Sequence, residues 1–296
     1  MNQIVIENRL YCVKKGFVEN MRSLIRFNDY SKEDIMEIFQ IADELQKGKY
    51  TGFLCGKTVV MFFPNSSIRT RVTFEKGVYL LGGQTILFPP ETLDKKEEIK
   101  DVIGYLNNWA DVIVVRHNDI CLLDQMRHYS DAPIINAMTD CNHPCEIISD
   151  LYSLSKLRVN FLEDHYLFCG AKGNIGNAWK EAAQVMELTL SQCCPIGYEI
   201  QGIQTDTDIR MAIKGNDIIL TDSVSNEMLN DFKDYQITKE IMDKANEGAV
   251  LNPCPPFYRG REVSQEVIDS NYFVGYHFKK YLLEIQQAIV IFNMTH

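Results

Sequence analysis

Three short segments carry residues whose types and spacing could do chemistry. Ser66-Ser67-Ile68-Arg69-Thr70-Arg71 directly follows the apolar run at 58–63 and precedes a helical stretch at 72–81. A strand-to-helix turn presents unpaired backbone N–H groups at the positive end of the helix dipole, which favours an anion. Hydroxyls and a guanidinium at that turn would add charge-assisted hydrogen bonds to phosphate oxygens. Taken alone, the same residues fit an ordinary serine N-cap with two surface arginines equally well.

The second segment is Val112-Ile113-Val114-Val115-Arg116, an apolar run ending in an arginine. Side chains at the carboxyl end of a parallel strand face the crevice where α/β proteins bind ligands. The commoner fate of such an arginine is a surface ion pair. The third is Asn142-His143-Pro144-Cys145-Glu146, where Pro144 suits the first turn of a helix because its missing N–H needs no partner. His143 could aim a ring N–H at a ligand carbonyl, or merely cap the turn.

These residues need elements to hold them. Ser31 caps a helix whose apolar residues, Ile35, Ile38, Ile41, Ala42 and Leu45, recur at helical spacing. The run at 58–63 reads as a strand buried on both faces. Strands at 85–88, 111–116 and 133–136 then alternate with helices at 97–110, 122–129 and 144–157. The pattern restarts at His165, with strands at 166–169, 188–190, 218–220 and 249–252 and a helix at 177–186. Residues 278–292 read as a long amphipathic helix, and the opening to about residue 23 as irregular. Such alternation predicts an α/β fold of two doubly wound parallel-sheet domains joined by interdomain helices. The expected boundaries are 1–148 and 149–277, with 278–296 packing back on the first domain.

The chain has 296 residues, a net charge of -10 and 46% hydrophobic residues. No general basic field exists to gather nucleic acid, so an anionic ligand would need arginines focused in one pocket. No apolar run reaches the length of a membrane span. Nine cysteines without framework spacing, and no secretory signal at Met1-Asn2-Gln3, predict reduced thiols and a cytoplasmic protein. Cys141, His143 and Cys145 match no usual zinc spacing, so no metal is expected. The glycine-bearing turn at 170–177 is not Gly-x-Gly-x-x-Gly, and no acid follows the next strand to hold a ribose. No cofactor is expected there or elsewhere.

The segment from Phe63 to Glu75 resembles the Ser-Thr-Arg-Thr-Arg signature of the aspartate/ornithine transcarbamoylases, with Ser67, Arg69, Thr70 and Arg71 matching and Ile68 standing where that family has threonine. Arg116 is similar to the family's strand-end arginine. His143 and Pro144 match its His-Pro-x-Gln, with Glu146 replacing the glutamine, and the resemblance covers essentially the whole chain. It implies transfer of a carbamoyl group from carbamoyl phosphate to an amine, or a non-catalytic relative that binds an anionic metabolite. On the family's pattern, Ser67, the N–H of Ile68, Arg69 and Thr70 bind carbamoyl phosphate. Arg116, His143 and Thr70 face its carbonyl, and Glu146 meets its nitrogen. Glu146 would then be either neutral or compensated by neighbouring arginines. Asn174, Asp222, Ser225, Asn226 and Cys254 correspond to acceptor-binding positions. The family's acceptor-loop histidine falls on Asn252 or Pro253, and its last-helix arginine is absent unless Lys279 or Lys280 substitutes by a shift. Thr92, with Lys95 or Lys96, resembles a loop lent to the adjacent subunit, which implies a homotrimer or a multiple of trimers.

Overall fold

The structure, a computed structural model, describes residues 22–296. The opening that the sequence marks as irregular lies outside the described residues, apart from its last two positions. Helix α1 (Lys32–Gln46) starts where Ser31 accepts from the Asp34 N–H, and Asp34 returns the bond to the Ser31 N–H. Four strands follow in the first half: β1 (Thr58–Phe62), β2 (Gln84–Phe88), β3 (Val112–Arg116) and β4 (Ile134–Met138). All pair in parallel, in the order β2-β1-β3-β4. Both faces of β1 and β3 are covered, which explains their unbroken Val, Ile, Met and Phe content. The connecting helices are α2 (Arg69–Leu80), α3 (Ile99–Leu106) and α4 (Ile120–Tyr129).

Helix α5 (Pro144–Leu157) leads from the first sheet to the second, and nearly its whole length is buried. The second half carries β5 (His165–Cys169), α6 (Asn174–Met186), β6 (Thr189–Cys193), β7 (Gln204–Asp206), β8 (Ile218–Thr221) and β9 (Val250–Pro253). Four one-turn helices complete it: α7 (Ile209–Ala212), α8 (Leu229–Phe232), α9 (Lys239–Met242) and α10 (Gln265–Ile268). Its sheet is also all parallel, ordered β7-β6-β5-β8-β9. The fold is therefore an α/β structure with two parallel sheets, as the alternation of elements predicts.

Each sheet reverses its winding at one point, between β1 and β3 in the first and between β5 and β8 in the second. Ligand crevices form at such points, outside the carboxyl ends of the strands. The turn at Ser67 follows β1 and Arg116 ends β3. Asn174 follows β5 and Asp222 follows β8. The topology thus brings four of the singled-out segments to the two crevices.

Several boundaries differ from expectation. α2 begins at Arg69 rather than at residue 72, and α6 at Asn174 rather than 177, so both turns are tighter than their composition suggests. α3 spans only 99–106, leaving Asp94 to Glu98 as a solvated turn before it. The last segment is not one amphipathic helix. A 3-10 turn, Tyr276–Tyr281, precedes α11 (Leu282–Thr295), which is buried around nearly its full circumference against α1, α2 and α5. A helix covered on all sides loses its polar stripe, and Gln286, Gln287 and Asn293 are buried in it.

Candidate functional site

Ser67 could have capped α2; instead no side chain caps that helix. Its hydroxyl, buried, accepts from Arg116 Nη1 at 3.0 Å across the β1/β3 crevice. The first N–H groups of a twelve-residue helix are left open toward the cleft. Thr70 is buried beside them, while Ile68 and Arg69 are exposed. Arg71, the second arginine of the segment, is tied one turn along to Glu75 at 2.7 Å. Arg116 stands in no ion pair among the described residues. Burial, with the nearby charge of Arg69, lowers its pKa from the usual arginine value. A half-buried guanidinium next to a second cation, with no carboxylate bound to it, is a place for an anion.

His143 occupies the N-cap position of α5, but its side chain makes no cap hydrogen bond. The imidazole is buried, and its Nδ1 has no hydrogen-bond partner among the described residues. Burial lowers its pKa to about 4, helped by Arg116 and Lys279 and opposed by Glu146. The ring is therefore neutral at neutral pH and able to donate a single N–H. Turn-capping, the plainer role for this histidine, is not what the geometry shows.

Ser67, Ile68, Arg69, Thr70, Arg116, His143 and Glu146 all line one cleft of about 390 Å³, and Asn174, Asp222 and Cys254 close its other side. The far wall belongs to the second sheet. Asn174 Nδ2 donates to the Thr139 carbonyl at 2.9 Å and its Oδ1 accepts from the Ile175 N–H, so this side chain also joins the two halves. Asp222 accepts from the Ser223 N–H at 2.8 Å. Burial raises its pKa to about 6, against that bond and with a push from Glu262 and Glu146. Burial also raises the Cys254 thiol well above the usual range, so it is un-ionised.

Not every singled-out residue reaches the cleft. Ser225 and Asn226 are exposed and line none of it; the Ser225 hydroxyl bonds Glu227 at 2.6 Å instead. Ser223, not singled out, lines it in their place. Thr92, half-buried in a 3-10 turn (Pro90–Leu93), is also absent from the cleft. That turn is held by Asp94, 2.9 Å from His117 Nε2, whose Nδ1 accepts from the Asp119 N–H.

Of the two shifted alternatives, Lys279 and Lys280, the structure brings Lys279 to the site. The 3-10 turn before α11 delivers it to Glu146 Oε1 at 2.7 Å and to Asp150, which also accepts from Asn252 Nδ2 at 2.8 Å. Burial would raise the Glu146 carboxyl, but the charge and hydrogen bond of Lys279 outweigh it and hold the group below its usual range. Glu146 is thus an ionised, compensated carboxylate, and the compensation comes from a lysine. The signal available in sequence was the pair Lys279-Lys280, offset from the expected position.

Two parallel α/β units that face each other across one cleft, with an anion cradle on one wall and an acid on the other, make a class of two-domain binding fold. Models of the aspartate/ornithine carbamoyltransferase carbamoyl-P binding domain and Asp/Orn binding domain match residues 22–156 and 163–292. The ornithine carbamoyltransferase of Methanobrevibacter smithii is 30% identical over 290 residues, covering 88% of this chain and 95% of that one. That of Desulfotalea psychrophila is 29% identical over 294 residues, covering 90% and 97%. The ornithine carbamoyltransferase structure from Pyrococcus furiosus superposes with a TM-score of 0.87 at 26% identity, over 93% of this chain and 97% of that one. The chain belongs to the aspartate/ornithine carbamoyltransferase family, whose members are enzymes.

Proposed function

We propose that this chain transfers the carbamoyl group of carbamoyl phosphate to the neutral amine of an ornithine-like acceptor, releasing phosphate. The observation that supports this best is the Arg116–Ser67 hydrogen bond beside an uncapped helix N-terminus. Ser67, Arg69, Thr70 and the N–H groups from residue 68 onward would hold the phosphate. Arg116, His143 and Thr70 would face the carbonyl. The amine attacks the carbonyl carbon, and the oxyanion of the tetrahedral intermediate is stabilised by these preorganised donors. The carbon–oxygen bond to phosphate then breaks, and phosphate leaves with the amine proton. Glu146 would accept from the carbamoyl NH2. Asn174, Asp222 and Cys254 would meet the acceptor, with Asp222 gripping an ammonium group. Positioning and electrostatics carry the reaction in this reading.

The functional unit proposed is a homotrimer or a multiple of trimers, in which the Thr92 turn completes a neighbour's site. Exposed Ile68, Val72, Tyr79, Leu80, Ile86 and Phe88 lie on α2, its preceding turn and β2, an apolar surface suited to subunit contact. Binding without turnover is the second reading. It is favoured by the outward placement of Ser225 and Asn226. Phosphate release across a panel of amines, with carbamoyl phosphate binding measured by calorimetry, separates the two: binding with no turnover on any amine supports the second reading.

A further inference from the structure

We propose that the acceptor site continues into a second compartment, built for an amine that carries an anionic group on an apolar or aromatic body. This rests on the transfer reading above and names the acceptor class for it. The compartment, of about 500 Å³, adjoins the cleft and shares Arg69, Pro255 and Pro256 with it. Its wall is aromatic. Phe257 and Phe273 meet edge to face with ring centroids 5.7 Å apart, and Tyr276 packs on Phe273 at 5.5 Å.

Its charges are all positive. Arg259 lies over the Phe257 ring at 5.6 Å and donates to the Tyr276 hydroxyl at 3.1 Å. Lys280 lies over the Tyr281 ring at 4.5 Å. Neither they nor Arg69 stand in an ion pair among the described residues. With Arg69 taken by the donor phosphate, Arg259 and Lys280 remain as two uncompensated cations on one hollow, a local field for an anion in a chain of net charge -10. Lys279, on the floor, is committed to Glu146 and Asp150 and adds nothing to it. An acceptor whose amine attacks in the first compartment must pass Pro255 and Pro256 to reach Arg259 and Lys280. An apolar linker would cross that passage without stranding polar groups. The chemistry is unchanged: one C–N bond forms, one C–O bond breaks, and phosphate leaves.

The test uses the full chain saturated with carbamoyl phosphate, with phosphate release measured for three probes. These are ornithine, Nα-benzoylornithine and the uncharged amide of Nα-benzoylornithine. The expected result is a kcat/KM for benzoylornithine at least ~10-fold above both others, as burial of one ring and pairing of one carboxylate imply. In Arg259→Ala/Lys280→Ala the advantage of benzoylornithine over its amide should collapse toward one, whereas Arg259→Lys/Lys280→Arg should keep it. Should the alanine variant fail to fold, the wild-type comparison of acid with amide still decides the matter. A flat panel, or an advantage indifferent to the alanine variant, overturns the compartment while carbamoyl phosphate binding stands. Absence of carbamoyl phosphate binding by wild type sinks the transfer reading, and the compartment's role with it.

Discussion

Lys279 Nζ stands 2.7 Å from Glu146 Oε1 and is hydrogen-bonded as well to Asp150, on the face of α5 below the cleft. One lysine carried in by a 3-10 turn therefore bridges two buried carboxyl groups, one of which lines the cleft. Burial raises the Asp150 carboxyl above its usual range, against Lys279 and with a push from Glu146.

Removing this cation should be costly. Lys279→Met would leave two buried acids without their shared cation and lower unfolding free energy in urea by about 3–5 kcal/mol. Adding Glu146→Gln should recover part of the loss, giving a non-additivity of at least ~1 kcal/mol between the two sites. Strictly additive effects would mean that the pair is not coupled.

His143 should act as a neutral donor. His143→Ala is expected to lower kcat by about 10²–10³-fold, the range for loss of one oxyanion donor. Its pKa is depressed on folding, so the unfolded chain takes up a proton below about 6.5 while the folded one does not. The contribution of this residue to stability is present above 6.5 and lost as pH falls toward 4. Unfolding curves between pH 7 and 4 should accordingly be flatter for His143→Asn than for wild type; parallel curves would contradict the assignment.

Asp222 ties acceptor affinity to pH. Its carboxyl titrates near 6, so below that pH it is neutral and cannot pair with an ammonium group. With ornithine as the acceptor, whose α-ammonium is free, KM should fall as pH rises through about 6, and Asp222→Asn should remove that step. A wild-type KM that is level from pH 5 to 7 would tell against the grip.

Gly176 is a packing requirement. A Cβ there would stand 2.7 Å from Ile200 Cδ1 and 2.9 Å from the Phe168 ring, on the helix that carries Asn174. Gly176→Ala should destabilise the chain by about 1–2 kcal/mol, overpacking outweighing the gain in helix propensity. A higher melting temperature would show that α6 can shift to make room.

Much of this molecule was legible in its sequence because β1, β3 and α5 are governed by local pattern. Unbroken β-branched and aromatic runs demand burial on both faces, and Pro144 marks the start of α5 at the residue expected. β7 carries no such pattern: Gln204, Thr205 and Asp206 form a strand only because β6 offers an edge to pair with. Ser225 was placed by motif order alone. In the fold, Val224 is buried and its N–H meets Glu262 at 3.3 Å, which leaves Ser225 facing outward. Motif order offers Lys279 and Lys280 as shifted alternatives without choosing between them, because the choice depends on how the last helix docks across α5, a tertiary relationship with no local signature.

Calorimetric titration of wild type and Arg116→Ala with carbamoyl phosphate tests the enclosure formed by Ser67, Arg116 and His143 most directly. Wild type should bind, and the variant should bind at least ~30-fold more weakly, as expected for loss of a charge-assisted contact in a partly desolvated site. Equal affinities, or no binding by wild type, would contradict the assignment of this cleft to a phosphorylated donor.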